Sequence, residues 1–149
     1  MKALLTATAT LLALSAPAYA EGDIAKGEKL FKKCKACHMI VDDEGTKIYK
    51  GGKTGPNLYG IIGRVAGTYE DFKYGKSIIA AGEGGLTWDE ETLAAYVADP
   101  KAFLREVTGD GSAKSKMSFK LKKGGEDVAA YLASVSPEMA ESDDESPSE

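Results

Sequence analysis

The sequence predicts an all-α fold, a few helices joined by long loops. Three observations lead there. Apolar residues recur at three- and four-residue spacing in three separate segments, near 24–34, 93–97 and 128–135, the period of a helix with one buried face. Strand-like alternation is scarce. Residues 34–38 read Cys34-Lys35-Ala36-Cys37-His38, the Cys-x-x-Cys-His spacing by which a c-type haem is attached. The helices and loops then have one covalently attached haem to wrap around.

The chemistry of that stretch follows from its spacing. Two thiols three positions apart can each add to one vinyl group, and the next residue, His38, is then held under the ring where it can ligate iron. These are the only two cysteines and the only histidine in the chain. Two other readings compete. A zinc site needs about four ligands, and there is no second cysteine pair and no further histidine. A redox dithiol of thioredoxin type calls for strands alternating with helices, a pattern missing here.

Residues 1–20 open on Met1-Lys2, run through a mostly apolar stretch from Ala3 to Leu14 and close on Ala18-Tyr19-Ala20. This is the pattern of a secretory signal peptide cleaved after Ala20, too short an apolar run for a comfortable membrane span. No later segment is apolar enough to span a membrane. Export fits the haem motif, since this attachment takes place outside the energy-coupling membrane, in a bacterium the periplasm. The whole chain carries 19 basic and 23 acidic residues, but six of the acids lie in residues 137–149. With Lys2 in the leader, the body over 21–136 is close to neutral. The Ser-, Asp-, Glu- and Pro-rich tail over 137–149 has the composition of a disordered segment. No repeat, phosphate-cradling loop or nucleic-acid motif stands out.

Within the body, Asp23 can cap a first helix running to about Lys35, with Ile24, Gly27, Leu30, Phe31 and Cys34 along its buried face. Gly27 on that face suggests close approach by another element, since glycine costs a helix about 1 kcal/mol against alanine. Asp42-Asp43-Glu44-Gly45 reads as a turn. A short helix over Lys76–Ala81 should stop at Gly82. Thr87 and Glu90 have the spacing of a capping box opening a helix with Leu93, Tyr96 and Val97 on one face, which Asp99-Pro100 should end. One more helical turn fits Lys101–Leu104, and loop fits Arg105–Lys123. A last helix begins near Gly125-Glu126, carries Val128, Tyr131, Leu132 and Val135, and stops before Pro137.

Several residues could serve the haem. The carbonyl of Pro56 could accept the Nδ1 proton of His38 and fix the imidazole, though a plain turn proline reads equally well. Haem carries two propionates, and Arg64, Tyr74 and Trp88 can each donate a hydrogen bond. Met117 sits in a polar loop where it has little packing reason to be. A thioether there could reach the haem face opposite His38. Met1 and Met139 lie in the leader and tail, and Met39 follows His38 too closely to reach that face. A gap-filling methionine or an axial lysine such as Lys116 remain alternatives on these grounds.

Taken in order, these segments resemble class I cytochrome c, in particular the large bacterial cytochromes c2 and c550 related to the mitochondrial protein. The resemblance covers residue 22 to about 136. It rests on the stretch 22–31, the motif at 34–38, Thr54-Gly55-Pro56-Asn57-Leu58, Gly63-Arg64 and Leu86–Leu93. It continues through Tyr96, Asp99-Pro100, Ser115-Lys116-Met117, Phe119 and 126–132. It implies the cytochrome c fold, with one haem c per chain held through Cys34 and Cys37. His38 and Met117 become the iron ligands, and Pro56 the partner of the imidazole. Arg64, Tyr74 and Trp88 take propionate-binding positions. Tyr96 lies near the methionine sulfur, and Gly27, Phe31 and Tyr131 join the first and last helices. Two departures stand out. The loops 42–49 and 105–113 look longer than in the mitochondrial form. Where the family often has an asparagine ordering a buried water, this chain has Ser77 and Ile78.

The function this implies is one-electron transport rather than catalysis. With both axial positions filled by protein, no site is open to a substrate, and His/Met ligation favours a high potential. A donor of cytochrome bc1 type and a haem–copper oxidase as acceptor are implied. Denitrification reductases, a peroxidase or a photosynthetic reaction centre are other possible acceptors. Docking of a monomer through lysines near the haem edge, among them Lys35, Lys53, Lys101, Lys116 and Lys120, fits a carrier steered by charge. A haem enzyme or peroxide sensor, which needs Met117 to dissociate, and a haem-free dithiol oxidoreductase using Cys34 and Cys37 are the rival classes.

Overall fold

The computed structural model describes residues 22–137. The leader read over 1–20 and all of the acidic tail but Pro137 lie outside the described residues. The described chain forms helices α1 (Ile24–Phe31), α2 (Lys76–Glu83), α3 (Glu90–Ala98), α4 (Pro100–Thr108) and α5 (Gly125–Ser134), with a two-stranded hairpin of β1 (Ile40–Val41) and β2 (Lys47–Tyr49).

Asp23 caps α1 as its sequence suggests, its carboxylate accepting from Lys26 N at 3.0 Å. The helix itself ends at Phe31. The chain then winds through turns to His38, whose N–H donates to Cys34 O at 2.9 Å, so the attachment motif is held in a helical turn. Gly27 and Phe31 are the buried residues of α1. Ile24 is 52% exposed, contrary to its expected place on the buried face. At that end the contact with α5 is made by backbone. Asp23 N donates to Asp127 Oδ1 at 2.7 Å, and Gly22 lies against the carbonyl of Glu126.

The first and last helices cross at Gly27. A Cβ there would run into the carbonyl oxygen of Asp127 and lie 2.8 Å from Tyr131 Cβ, so only glycine lets the two backbones touch. Next to the crossing, Phe31 packs edge-on to Tyr49 with ring centroids 4.8 Å apart and against Tyr131 at 5.8 Å. Val128, Ala129 and Leu132 complete this side of the core. The acidic turn is present. Asp42 Oδ1 accepts from the N–H groups of Glu44 at 3.0 Å and Thr46 at 2.7 Å, and the short strands on either side pair antiparallel.

Besides the earlier end of α1, three helix boundaries differ from those the sequence predicts. The cap of α3 is Asp89, not Thr87. Asp89 accepts from Thr92 N at 2.7 Å while Thr92 Oγ1 accepts from Asp89 N at 3.0 Å. Residues 86–88 cannot cap because their backbone pairs with 63–66, Gly63 N donating to Trp88 O at 2.7 Å and Trp88 N to Arg64 O at 2.9 Å. Helix α2 runs through Gly82, which lies buried against the carbonyl of Ala66. Helix α4 is nine residues long rather than one turn. Pro100 starts it, Asp99 caps it, and Gly109 ends it in the left-handed region at φ 66°. Phe103, Leu104 and Val107 already carry the helical spacing, so this helix was legible as far as Thr108.

Two outcomes follow. Gly27→Val should cost the haem-loaded protein about 1–3 kcal/mol, as overpacking does, in chemical denaturation; a loss below about 0.5 kcal/mol contradicts the close crossing. The Asp89 carboxyl is held below the usual value of 3.8, chiefly by the Thr92 N–H. Its stabilisation is therefore present above its unfolded pKa and lost as pH falls through the lowered folded one. Asp89→Ala should cost about 1 kcal/mol at neutral pH, and the gap from wild type should narrow in acid.

Candidate haem site

All the sequence-predicted site residues but Arg64 converge on one cavity of about 280 Å³, lined among others by Cys34, Cys37, His38, Pro56, Tyr74, Trp88, Tyr96 and Met117. An apolar cavity of ~150 Å³ already accepts a benzene molecule, so this space is a site for a sizeable ligand and no packing defect. Its walls come from distant parts of the chain. The attachment turn after α1 gives Cys34 and His38, the loop 54–58 gives Pro56, α3 gives Tyr96, and the loop after α4 gives Met117. Apolar lining comes from Leu58, Ile61, Phe72, Ile78, Leu93 and Leu104, none of which sequence reasoning assigned to the wall of the haem site.

His38 Nδ1 lies 2.8 Å from the carbonyl oxygen of Pro56. A carbonyl only accepts, so Nδ1 carries the proton and Nε2 keeps a free lone pair. This is the tautomer a metal-binding imidazole needs. Burial pulls the His38 pKa down, against the opposing effect of the Pro56 bond, which favours the neutral ring. Gly55 makes the arrangement possible. A Cβ at that position would lie 2.7 Å from His38 Nδ1 and 2.8 Å from Nε2, so any side chain there displaces the imidazole.

Behind Pro56, Asn57 is a buried polar residue that sequence reasoning missed. It accepts from Val41 N at 3.0 Å and Tyr59 N at 3.1 Å and donates to Val41 O at 2.7 Å. It thereby ties the Pro56 loop to the strand that follows His38. The signal was available: asparagine beside Pro56 can satisfy several loop backbone groups at once.

Arg64 is placed differently from Tyr74 and Trp88. It does not line the cavity. Its guanidinium donates to Asn57 O at 3.0 Å and to Tyr59 O, stacks over the Tyr69 ring and lies beside the Tyr74 phenol. Tyr74 and Trp88 face the cavity directly. Burial pushes the Tyr74 phenol up, with Arg64 offsetting part of the effect, so it is a neutral hydrogen-bond donor at physiological pH. Tyr96 lies under the Trp88 ring, centroids 5.0 Å apart, and its hydroxyl is 3.5 Å from Ser115 Oγ, two residues before Met117.

Burial, with Cys37 beside it, pushes the Cys34 thiol up to about 11, so Cys34 is not the stabilised thiolate with which a redox cysteine attacks. Among the described residues no cluster of three or more His, Cys, Asp or Glu could hold a metal ion. The donor set fits a haem: two thiols in attachment spacing, a neutral imidazole with Nε2 free, a thioether in the same cavity, and phenol and indole donors on its wall.

Comparison with known proteins agrees. No protein-family model matches the chain. Cytochrome c2 of Rhodobacter capsulatus is 62% identical over 136 residues, covering 91% of this chain and 98% of that protein. Cytochrome c-550 of Paracoccus denitrificans is 52% identical over 141 residues, covering 93% and 91%. The chain belongs to the cytochrome c2/c-550 family. The solved structure of the Rhodobacter capsulatus cytochrome c2 superposes with a TM-score of 0.76 at 64% identity, over 76% of this chain and 98% of that one. The fold is that of class I cytochrome c. As a family member the protein carries one covalent haem c through Cys34 and Cys37 and is an electron carrier rather than an enzyme. Family members act as redox shuttles with membrane complexes. Among the described residues no helix is long and apolar enough to cross a membrane.

The close fit of Gly55 to the ring is open to test. Gly55→Val should lower the thermal midpoint of the haem-loaded protein by about 5 °C or more, the scale of 1–3 kcal/mol in a domain of this size. A variant as stable as wild type with an unchanged visible spectrum contradicts the contact.

Proposed function

We propose that His38 and Met117 are the two axial ligands of this carrier, and that it moves single electrons from a cytochrome bc1 complex to a haem–copper oxidase. Other reductases of the same compartment, or a photosynthetic reaction centre, are further acceptors. The observation that carries the reading is that the Met117 side chain lines the same cavity as Cys34, Cys37 and His38, although a long polar loop separates it from any helix. The haem supplies a one-electron ferric/ferrous couple. Around it, Pro56 holds the imidazole proton and leaves Nε2 as donor. Met117 supplies a weak thioether donor, which favours the reduced state. The apolar walls exclude water, which works in the same direction. Tyr74 and Trp88 would donate to the haem's acidic groups, and Arg64, behind Tyr74, would offset their charge while it holds the loop backbone. Tyr96 and Ser115 line the cavity with Met117.

Docking runs through lysines, of which Lys116 lines the cavity. Lys35, Lys53 and Lys101 are exposed. Lys116 donates to Lys73 O at 2.7 Å, and Lys120 pairs with Asp99 at 2.7 Å, so these two have structural partners as well. That ranks Lys35 and Lys53 ahead of Lys120 as docking charges. The protein works in the periplasm as a monomer, after removal of residues 1–20, with its haem domain over 21–136 and an acidic tail over 137–149. Its contacts with partners are small and short-lived, as redox interfaces are.

Replacing Met117 by alanine should lower the midpoint potential by on the order of 0.1 V or more, within the roughly 0.8 V that axial ligands span. It should also abolish the weak red sulfur-to-iron band. An unmoved potential and band would mean another sixth ligand. Lys35→Glu should slow reaction with an acidic oxidase docking site roughly two- to tenfold at low ionic strength, the difference fading as salt screens it; an unchanged salt dependence counts against lysine docking.

A further inference from the structure

The loop that carries Met117 is held at two ends. Towards the C-terminus, Leu121 N donates to Val97 O at 2.7 Å and Lys120 pairs with Asp99 at 2.7 Å, fixing it to the end of α3. Towards the N-terminus, two bonds tie it to one short stretch around the start of α2. Lys114 N donates to Ser77 Oγ at 3.0 Å, and Lys116 Nζ donates to Lys73 O at 2.7 Å. The aliphatic stem of Lys116 lies over Gly75, where an added Cβ would sit 3.5–3.9 Å from its carbons. Met117 hangs between these two anchorages.

Of these groups, Ser77 stands at a distinctive place. It is absent from the cavity lining, so it does not touch the haem site. Its hydroxyl accepts from the backbone of residue 114, which leads directly into Ser115 and Met117. The same stretch presents Tyr74 to the cavity. The wall that offers a donor to the haem's acidic groups and the loop that offers the thioether are therefore pinned together by the Ser77 hydroxyl.

We infer that Ser77 is a positioning residue for Met117: its hydrogen bond to Lys114 N holds the ligand loop against α2 and restrains the thioether from leaving the iron. This rests on the reading of Met117 as axial ligand. A single intramolecular hydrogen bond shifts an equilibrium about two- to tenfold. Removing the hydroxyl should therefore raise the population of loop-open protein by that factor, with the fold otherwise intact.

The test uses the haem-loaded ferric protein and imidazole as an exogenous ligand, which competes with Met117 for the iron and binds more tightly the more easily the loop opens. Imidazole affinity is read from the visible spectrum for wild type, Ser77→Ala, Ser77→Thr, Ser134→Ala and Met117→Ala. Ser134 donates to Tyr131 O at 2.6 Å within α5 and reports the loss of an unrelated hydroxyl bond. The expected result is affinity two- to tenfold higher in Ser77→Ala and near wild type in Ser77→Thr and Ser134→Ala. It should be higher again in Met117→Ala. If Ser77→Ala matches wild type while Met117→Ala binds more tightly, or if Ser134→Ala rises as much as Ser77→Ala, the positioning role is wrong and the ligation stands. If Met117→Ala binds imidazole no more tightly than wild type, the ligation itself is wrong.

Discussion

The bond between His38 Nδ1 and the Pro56 carbonyl is the contact on which the rest of the site is arranged. It fixes the tautomer of the one histidine and aims its free nitrogen into the cavity. It also binds the attachment turn to a loop nearly twenty residues on. That loop is in turn held rigid. Asn57 locks it to β1, and Arg64 spends its guanidinium on the carbonyls of Asn57 and Tyr59. A polar rack thus stands behind an apolar cavity. Every buried side-chain nitrogen or oxygen among the described residues has a partner, as buried polar groups must when the interior offers no water.

Two kinds of support position the ligands, and they differ in stiffness. The imidazole side rests on backbone-to-backbone turns and on glycines that admit no side chain, at Gly55 against the ring and at Gly27 where α1 and α5 cross. The thioether side rests on a loop tied by a few bonds, several of them exposed side-chain contacts. The exposed Lys120–Asp99 ion pair by itself contributes little. The proximal half is thereby the rigid part of the site, and the Met117 half the part where small changes are felt. An electron carrier benefits from such a frame, because little has to move when one charge is gained or lost.

What could be read from the sequence was the chemistry that is local along the chain. The attachment motif, the cap at Asp23, the acidic turn at 42–45 and the stripe of α5 each depend on residues a few positions apart. What escaped depends on distant partners. Thr87 has the spacing of a cap, but strand-like pairing of its neighbours Leu86 and Trp88 with 63–66 keeps it extended, and Asp89 caps instead. Gly82 looks like a stop, yet tertiary contact with Ala66 carries the helix through it. Ile24 fits the stripe by period, but backbone at Gly22 and Asp23 makes the contact. In the site, Tyr74, Trp88, Tyr96 and Met117 line the cavity, while Arg64 stands one layer back. From the sequence Gly55 and Asn57 are only parts of a motif, with no role assigned, because their roles consist of what touches them from elsewhere in the chain.

The central claim is that Met117 sits over the haem opposite His38. The most direct measurement is the proton NMR spectrum of the reduced protein with isotope-labelled methionine methyl groups. The account predicts one methyl carried far upfield by the ring current, absent in Met117→Leu, with Met39 and Met139 near their ordinary positions. An upfield methyl that survives the substitution, or no such methyl at all, would contradict it.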